Sequence, residues 1–159
     1  MQSLYDRDMV KPMWQELADI GLKPLTDSNE VDQFMANQSG TSLIVINSVC
    51  GCSAGSARPG VALALQNKVI PDHLATVFAG VDREATNKLR EFIKGYPPSS
   101  PSMALFKNGQ VIYMLERHQI EGNAAEQVAD KLVRAFNQHC SKAGPSVSQE
   151  QLKKAFGIA

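Results

Sequence analysis

Leu43-Ile44-Val45-Ile46 is an unbroken apolar run, and within a few residues it leads into Cys50-Gly51-Cys52. A run without polar alternation fits a strand buried on both faces, the situation of a parallel sheet covered by helices on either side. A chain built around such a strand is an α/β domain. The two cysteines then stand where the strand hands over to the next helix. Open α/β sheets bind their ligands at that carboxyl end.

The flanking patterns agree. Residues 9–20 carry one apolar stripe (Val10, Met13, Trp14, Leu17, Ile20) closed by Gly21, which predicts an amphipathic helix. Asp27-Ser28-Asn29-Glu30 has capping-box spacing ahead of Val31, Phe34 and Met35. A helix is expected over 53–68, kinked or delayed by Pro59-Gly60, then a strand over 75–81 and a helix over about 83–94 capped by Asp82. After the proline-rich loop 96–101, Asn108-Gly109 joins strands 103–107 and 110–115 as a two-residue hairpin. Asn123 and Glu126 start a last helix with the stripe Val128, Leu132, Phe136. The expected order is strand, helix, strand, helix, hairpin, helix: a mixed sheet flanked by helices. Residues 1–144 are expected to form one domain, with a helical extension over about 1–40. Residues 145–159 follow as a tail in which Ser148 and Gln151 could cap a short helix.

Charge and cysteine content narrow the function. Among 159 residues, 16 Lys+Arg balance 16 Asp+Glu. Zero net charge removes the electrostatic case for nucleic acid or an anionic membrane, and it is compatible with a homodimer. No apolar run approaches the roughly 20 residues that span a bilayer. Residues 1–10 have no basic stretch followed by an apolar one, so no signal peptide is expected. Three cysteines do not make a secreted disulfide framework. The cytoplasm is the expected compartment, where paired cysteines point to redox or metal chemistry.

A thiolate at Cys50 would face unpaired backbone N–H groups and the positive end of the following helix, and both lower a cysteine pKa. Gly51 lets the chain bend and keeps one side open. Arg58 would add positive charge if the turn folds back. Cys140, at the end of the last helix, faces the wrong end of the dipole and is read as incidental. His118 is read as satisfying local hydrogen bonds before shuttling protons. A metal or iron–sulfur site usually wants four ligands; Cys140, His73, His118 and His139 show no ligand spacing to the motif. A cluster shared between subunits stays open. By its residues alone, Pro101 is an ordinary trans proline ending a loop.

Ser100-Pro101-Ser102-Met103-Ala104-Leu105-Phe106-Lys107-Asn108-Gly109-Gln110-Val111 resembles the thioredoxin segment that runs from the active-site cis-proline through the strand and hairpin. Asn47-Ser48-Val49-Cys50-Gly51-Cys52, then Ala57-Arg58-Pro59-Gly60, Gly80-Val81-Asp82 and Arg117-His118-Gln119-Ile120-Glu121-Gly122, resemble the bacilliredoxin family. The resemblance implies a thioredoxin-like fold, a cis Ser100–Pro101 bond beside the cysteines, and removal of bacillithiol from protein mixed disulfides. It makes Cys50 the attacking thiol and Cys52 the resolving or regulatory one. It implies no cofactor, bacillithiol being a thiol co-substrate, and client proteins as partners. Related proteins are also described as weak disulfide isomerases. The motif departs from thioredoxin: it is C-x-C, Val49 stands in the place of a tryptophan, and the strand before it has no acidic residue. A Cys50–Cys52 disulfide would close a small strained ring, which argues against a strong general reductant. The expected activity is thiol–disulfide exchange, with isomerase or general dithiol oxidoreductase as the alternative and a metal or iron–sulfur carrier as the third reading.

Overall fold

The strand Thr41–Asn47 is buried at every position. Leu43 and Val45 enter one apolar cluster, and Ile44 and Ile46 enter another on the opposite face. Side chains alternate across a strand, so an all-apolar strand needs a core on each side. The computed structural model describes residues 2–36 and 39–158. In chain order the elements are α1 (Lys11–Ala18), β1 (Lys23–Pro24), α2 (Ser28–Ala36), β2 (Thr41–Asn47), a π-type turn (Ser53–Ala57), α3 (Arg58–Ala64), β3 (Val69–Ile70), β4 (His73–Phe78), α4 (Arg83–Arg90), β5 (Ser102–Lys107), β6 (Gln110–Leu115), α5 (Arg117–Ile120), α6 (Ala125–His139), β7 (Lys142–Ala143) and α7 (Gln149–Phe156).

The main sheet runs β1-β4-β2-β5-β6. β1, β4 and β2 are parallel, with Leu43 opposite Leu74; β5 and β6 are antiparallel to their neighbours. Leu17, Val61, Leu65, Val128, Leu132 and Phe136 cover one face, and Val31, Met35, Ala85 and Leu89 the other. Asn108 and Gly109 both have positive φ, 50° and 82°, as a type I′ hairpin turn requires. Lys107 pairs with Gln110 across it.

Four local expectations are corrected. The helix expected over 53–68 is a π-type turn followed by a short α3. Pro59 has no N–H to donate, and its ring displaces the carbonyl four residues back, so the regular ladder begins late. Gly60 then earns its place by contact, because a Cβ there would lie 2.7 Å from Val128 Cγ1 on α6. Only half of the capping box forms. Asp27 Oδ1 accepts the Glu30 N–H at 2.8 Å, but the Glu30 carboxylate accepts from Thr26. Asp82 occupies the N-cap of α4 without capping it, since its carboxylate is paired with Arg7. Asn123 does not cap α6 either. It donates to the Gln119 carbonyl, and Gln127 Oε1 accepts the Ala124 N–H at 2.7 Å.

Beyond Pro145, Ser148 Oγ accepts the Gln151 N–H at 3.1 Å and starts α7. Leu152 is buried in the same cluster as Leu17. The two-residue strands β3 and β7 pair as a small second sheet at the base of this segment. Among the described residues, no helix is long and apolar enough to cross a membrane.

Candidate active site

The turn after β2 is built on Asn47. This residue is buried, and its Oδ1 accepts from the Ser48 N–H, the Ser53 hydroxyl and Arg58 Nη1 at 2.9, 2.9 and 3.0 Å. Its Nδ2 donates to the Met13 carbonyl at 3.0 Å, which ties the turn to α1. Arg58 lies beneath, only 5% exposed. Its Nε pairs with Glu16, and its Nη1 also reaches the Ser48 carbonyl and Ser53 Oγ, each at 3.1 Å. The expectation that Arg58 supplies charge to the cysteines is therefore corrected. Its guanidinium faces inward and holds the turn, with no bond to either sulfur. The reason is geometric: π and α turns carry position 58 to the sheet side of the helix.

With the turn held, Ser48 Oγ accepts the Cys50 N–H at 3.1 Å. Both motif cysteines are free and half-buried, and their Sγ atoms lie 2.6 Å apart. The Cys52 N–H points at Cys50 Sγ from 3.4 Å. Arg117 Nη2, from the first position of α5, also lies 3.4 Å from Cys50 Sγ. Gly51 is exposed, and nothing lies within 4 Å of the place a side chain would take there. The Cys50 thiol is held below its ordinary range, first by the hydrogen bond from the Cys52 thiol, then by the Cys52 N–H, the Arg117 charge and the Ser53 N–H. Cys52 is pushed the other way, first by burial and then by its bond to Cys50. Of the two thiols, Cys50 is therefore the one that gives up its proton first, with Cys52 as its proton-bearing neighbour.

Pro101 is buried at the start of β5, and the Ser100–Pro101 bond is cis. Arg117 bridges the two halves of the site, since Nη1 donates to the Ser100 carbonyl at 3.2 Å while Nη2 reaches the sulfur. Cys50, Ser100 and Arg117 line one cleft of about 420 Å³. His118 is exposed, and among the described residues no hydrogen bond joins it to either sulfur. Cys140 stands apart at the C-cap of α6, and burial raises its thiol. Among the described residues, no group of three or more His, Cys, Asp or Glu side chains is placed to share a metal ion.

The disulphide isomerase family model matches residues 5–140. A bacilliredoxin of Cytophaga hutchinsonii is 50% identical over 135 residues, which is 85% of this chain and 99% of that one. The chain belongs to the bacilliredoxin family. A bacilliredoxin of Shouchella clausii is similarly 50% identical, covering 87% of this chain and 95% of its own length. A solved thioredoxin of Malassezia sympodialis superposes with a TM-score of 0.45 at 16% identity, covering 75% of this chain and 90% of that one. The parallel β2-α3-β4 unit, continued by an antiparallel hairpin and a closing helix, is a thioredoxin-like architecture. Like its bacilliredoxin relatives, the chain is a thiol–disulfide oxidoreductase.

Arg117 is the residue that the sequence did not single out. It opens the motif in which His118 attracted attention, and the signal available was its place directly after the hairpin, at the start of a helix. Its expected effect is measurable. Iodoacetamide alkylation of Cys50 should reach half its maximal rate at a pH below the unperturbed thiol value of about 8.5. Cys140 should titrate above that value. Arg117→Gln should move the Cys50 midpoint upward and leave Cys140 where it was. An unmoved Cys50 midpoint would remove Arg117 from the site.

Proposed function

We propose that the chain removes bacillithiol, or a similar low-molecular-weight thiol, from proteins that carry it as a mixed disulfide. The Cys50 thiolate attacks the sulfur of the small thiol. A new Cys50–S–S–R bond forms, the client S–S bond breaks, and the client leaves as a thiolate. Either a second small thiol attacks the sulfur of the first, so that Cys50 leaves as a thiolate and the two small thiols depart joined as a disulfide, or the Cys52 thiolate attacks Cys50 sulfur and expels the small thiol. In the Cys52 route the product is a Cys50–Cys52 disulfide, which an external thiol must reduce. No resident cofactor takes part, and the cytoplasm is the compartment that suits a free thiolate.

One observation carries this reading: the sulfur whose thiol is held below its ordinary range, Cys50, is the one that lines an open cleft, while the higher-pKa Cys52 sits against it at 2.6 Å. The same short contact supports a second reading, a disulfide isomerase that cycles between both cysteines. The test is mass spectrometry of the reduced chain mixed anaerobically with a bacillithiolated peptide. The peptide should lose the mass of the small thiol, and the chain should gain it transiently. A peptide left intact, beside reactivation of a scrambled disulfide protein, would favour the isomerase.

A further inference from the structure

Arg117 meets three partners at once. Its Nε donates to Glu121 Oε2 at 3.2 Å, its Nη1 donates to the Ser100 carbonyl at 3.2 Å, and its Nη2 lies 3.4 Å from Cys50 Sγ. The first two partners stand on different segments, the end of α5 and the loop before β5. Together they hold the planar guanidinium from two sides and turn its remaining nitrogen to the sulfur. Cys52 Sγ is 2.6 Å from Cys50 Sγ, yet Cys52 does not line the cleft that Cys50 and Arg117 share. The second thiol therefore reaches Cys50 from the turn and not through the cleft. Arg83 and Arg90 of α4 line the same cleft, but among the described residues neither bonds to a sulfur, and Arg83 is engaged by the Gln2 carbonyl at 2.9 Å.

We infer that Arg117 is a catalytic residue for the second half of the exchange, where it takes up the negative charge of the small thiol as that thiol leaves Cys50, and that Glu121 is the positioning residue that keeps its guanidinium there. This rests on the Cys52 route proposed above. In the mixed disulfide Cys50 carries no charge, so Nη2 has lost its thiolate partner. Two of the influences that raise Cys52, its bond to the Cys50 thiol and the Cys50 charge, are gone as well. Cys52 gives its proton to water and attacks Cys50 sulfur. A Cys50–Cys52 bond forms, the bond from Cys50 to the small thiol breaks, and its electron pair leaves on the small thiol's sulfur. The two cysteines are oxidised and the small thiol is reduced. The three sulfurs of such an exchange stand close to a line, so a sulfur displaced by Cys52 departs into the cleft, beside Nη2. A hydrogen bond to an ionised acceptor is the stronger kind, so Nη2 holds the leaving thiolate better than it holds the disulfide. Arg117 and Glu121 are 44% and 60% exposed, and an exposed pair alone fixes little, so the clamp needs the Ser100 carbonyl too.

The test loads Cys50 of the reduced chain with an uncharged thiol, from the methanethiosulfonate of ethanethiol or of the far more acidic 4-nitrothiophenol. Rapid acid quench and mass spectrometry follow the decay of each mixed disulfide on the Cys50 peptide, with Cys52→Ala as the background. Cys50 bears no proton in either adduct, so its own pKa does not enter these rates. Arg117→Gln should slow the loss of ethanethiol about tenfold, the scale of a charge-assisted hydrogen bond. The loss of 4-nitrothiophenol, whose thiolate needs little help, should slow by roughly twofold or less, so the ratio of the two rates widens. Glu121→Gln should widen that ratio about threefold, the scale of an exposed ion pair. Arg117→Lys, with the charge and not the fork, should fall between the wild type and Arg117→Gln. Arg134→Gln, which removes an exposed charge on α6, should leave the ratio alone. An unchanged ratio in Arg117→Gln overturns the inference even where the Cys50 alkylation midpoint moves, because Arg117 then serves the nucleophile alone. A ratio moved by Arg117→Gln and not by Glu121→Gln removes Glu121 from it. An adduct that persists in the wild type ends the Cys52 route and the inference with it, whereas one that decays at an unchanged ratio ends the inference alone.

Discussion

Cys52→Ala is expected to accumulate a mixed disulfide on Cys50 after one turnover, while Cys50→Ala forms none and falls to the background rate of thiol exchange. Cys50 is the sulfur at the cleft, and its thiol is held below the ordinary range by Cys52, two backbone N–H groups and Arg117. Removing Cys52 takes away the largest of those influences, so the Cys50 thiol rises toward its ordinary range and attack slows. The nucleophile is still present, and the neighbour able to expel the small thiol is not. The intermediate should therefore persist long enough for mass spectrometry to find the added mass on the Cys50 peptide. In Cys50→Ala the motif's remaining thiol is the one that burial pushes up, so it is the poorer nucleophile. Equal loss of activity in both variants would mean that the chemistry needs two cysteines, as in the isomerase reading. An active Cys50→Ala would reverse the roles.

Arg58→Met should be the most destabilising single change at the site. The guanidinium is 5% exposed and satisfies Glu16, Asn47, Ser48 and Ser53 together. Removing one partner of a buried pair costs about 3–5 kcal/mol because the other is left uncompensated. Glu16 is 25% exposed and can recover some hydration, so about 3 kcal/mol is expected. For a chain of this length that lowers Tm by roughly 6–12 °C. Arg58→Lys should recover only part of the loss, because an ammonium cannot span the same four acceptors. Calorimetric Tm values for the two variants check this. A drop of a degree or less in Arg58→Met would show that the network contributes little. The same variant should loosen the Asn47 turn and, with it, the position of Cys50.

Elements with a strong local pattern were legible from the chain alone. The two-sided burial of β2, the I′ turn at Asn108-Gly109, the stripe of α6 and the Ser148 cap each depend on residues a few positions apart. The short pieces were not. β1, β3 and β7 have two residues each and no periodicity to read, and α5 is a single turn. Caps failed where a distant side chain competed. Asp82 looked like the cap of α4 until Arg7, 75 positions away, took its carboxylate.

The active site divides along the same line. The sequence by itself determined the nucleophile's setting: a buried strand, a Cys-Gly-Cys at its carboxyl end, a helix following, and a proline-led strand beside them. Those features follow from local conformational preference and side-chain alternation, which act over a few residues. Which of 16 cations would meet the thiolate was decided by tertiary structure alone. Arg58, eight residues from Cys50, turns inward to hold the turn, while Arg117, 67 residues away, comes to the sulfur. Arg83 and Arg90 arrive on a helix of the opposite layer. Coulomb and hydrogen-bond energies depend on distance in space, and only the folded sheet sets those distances.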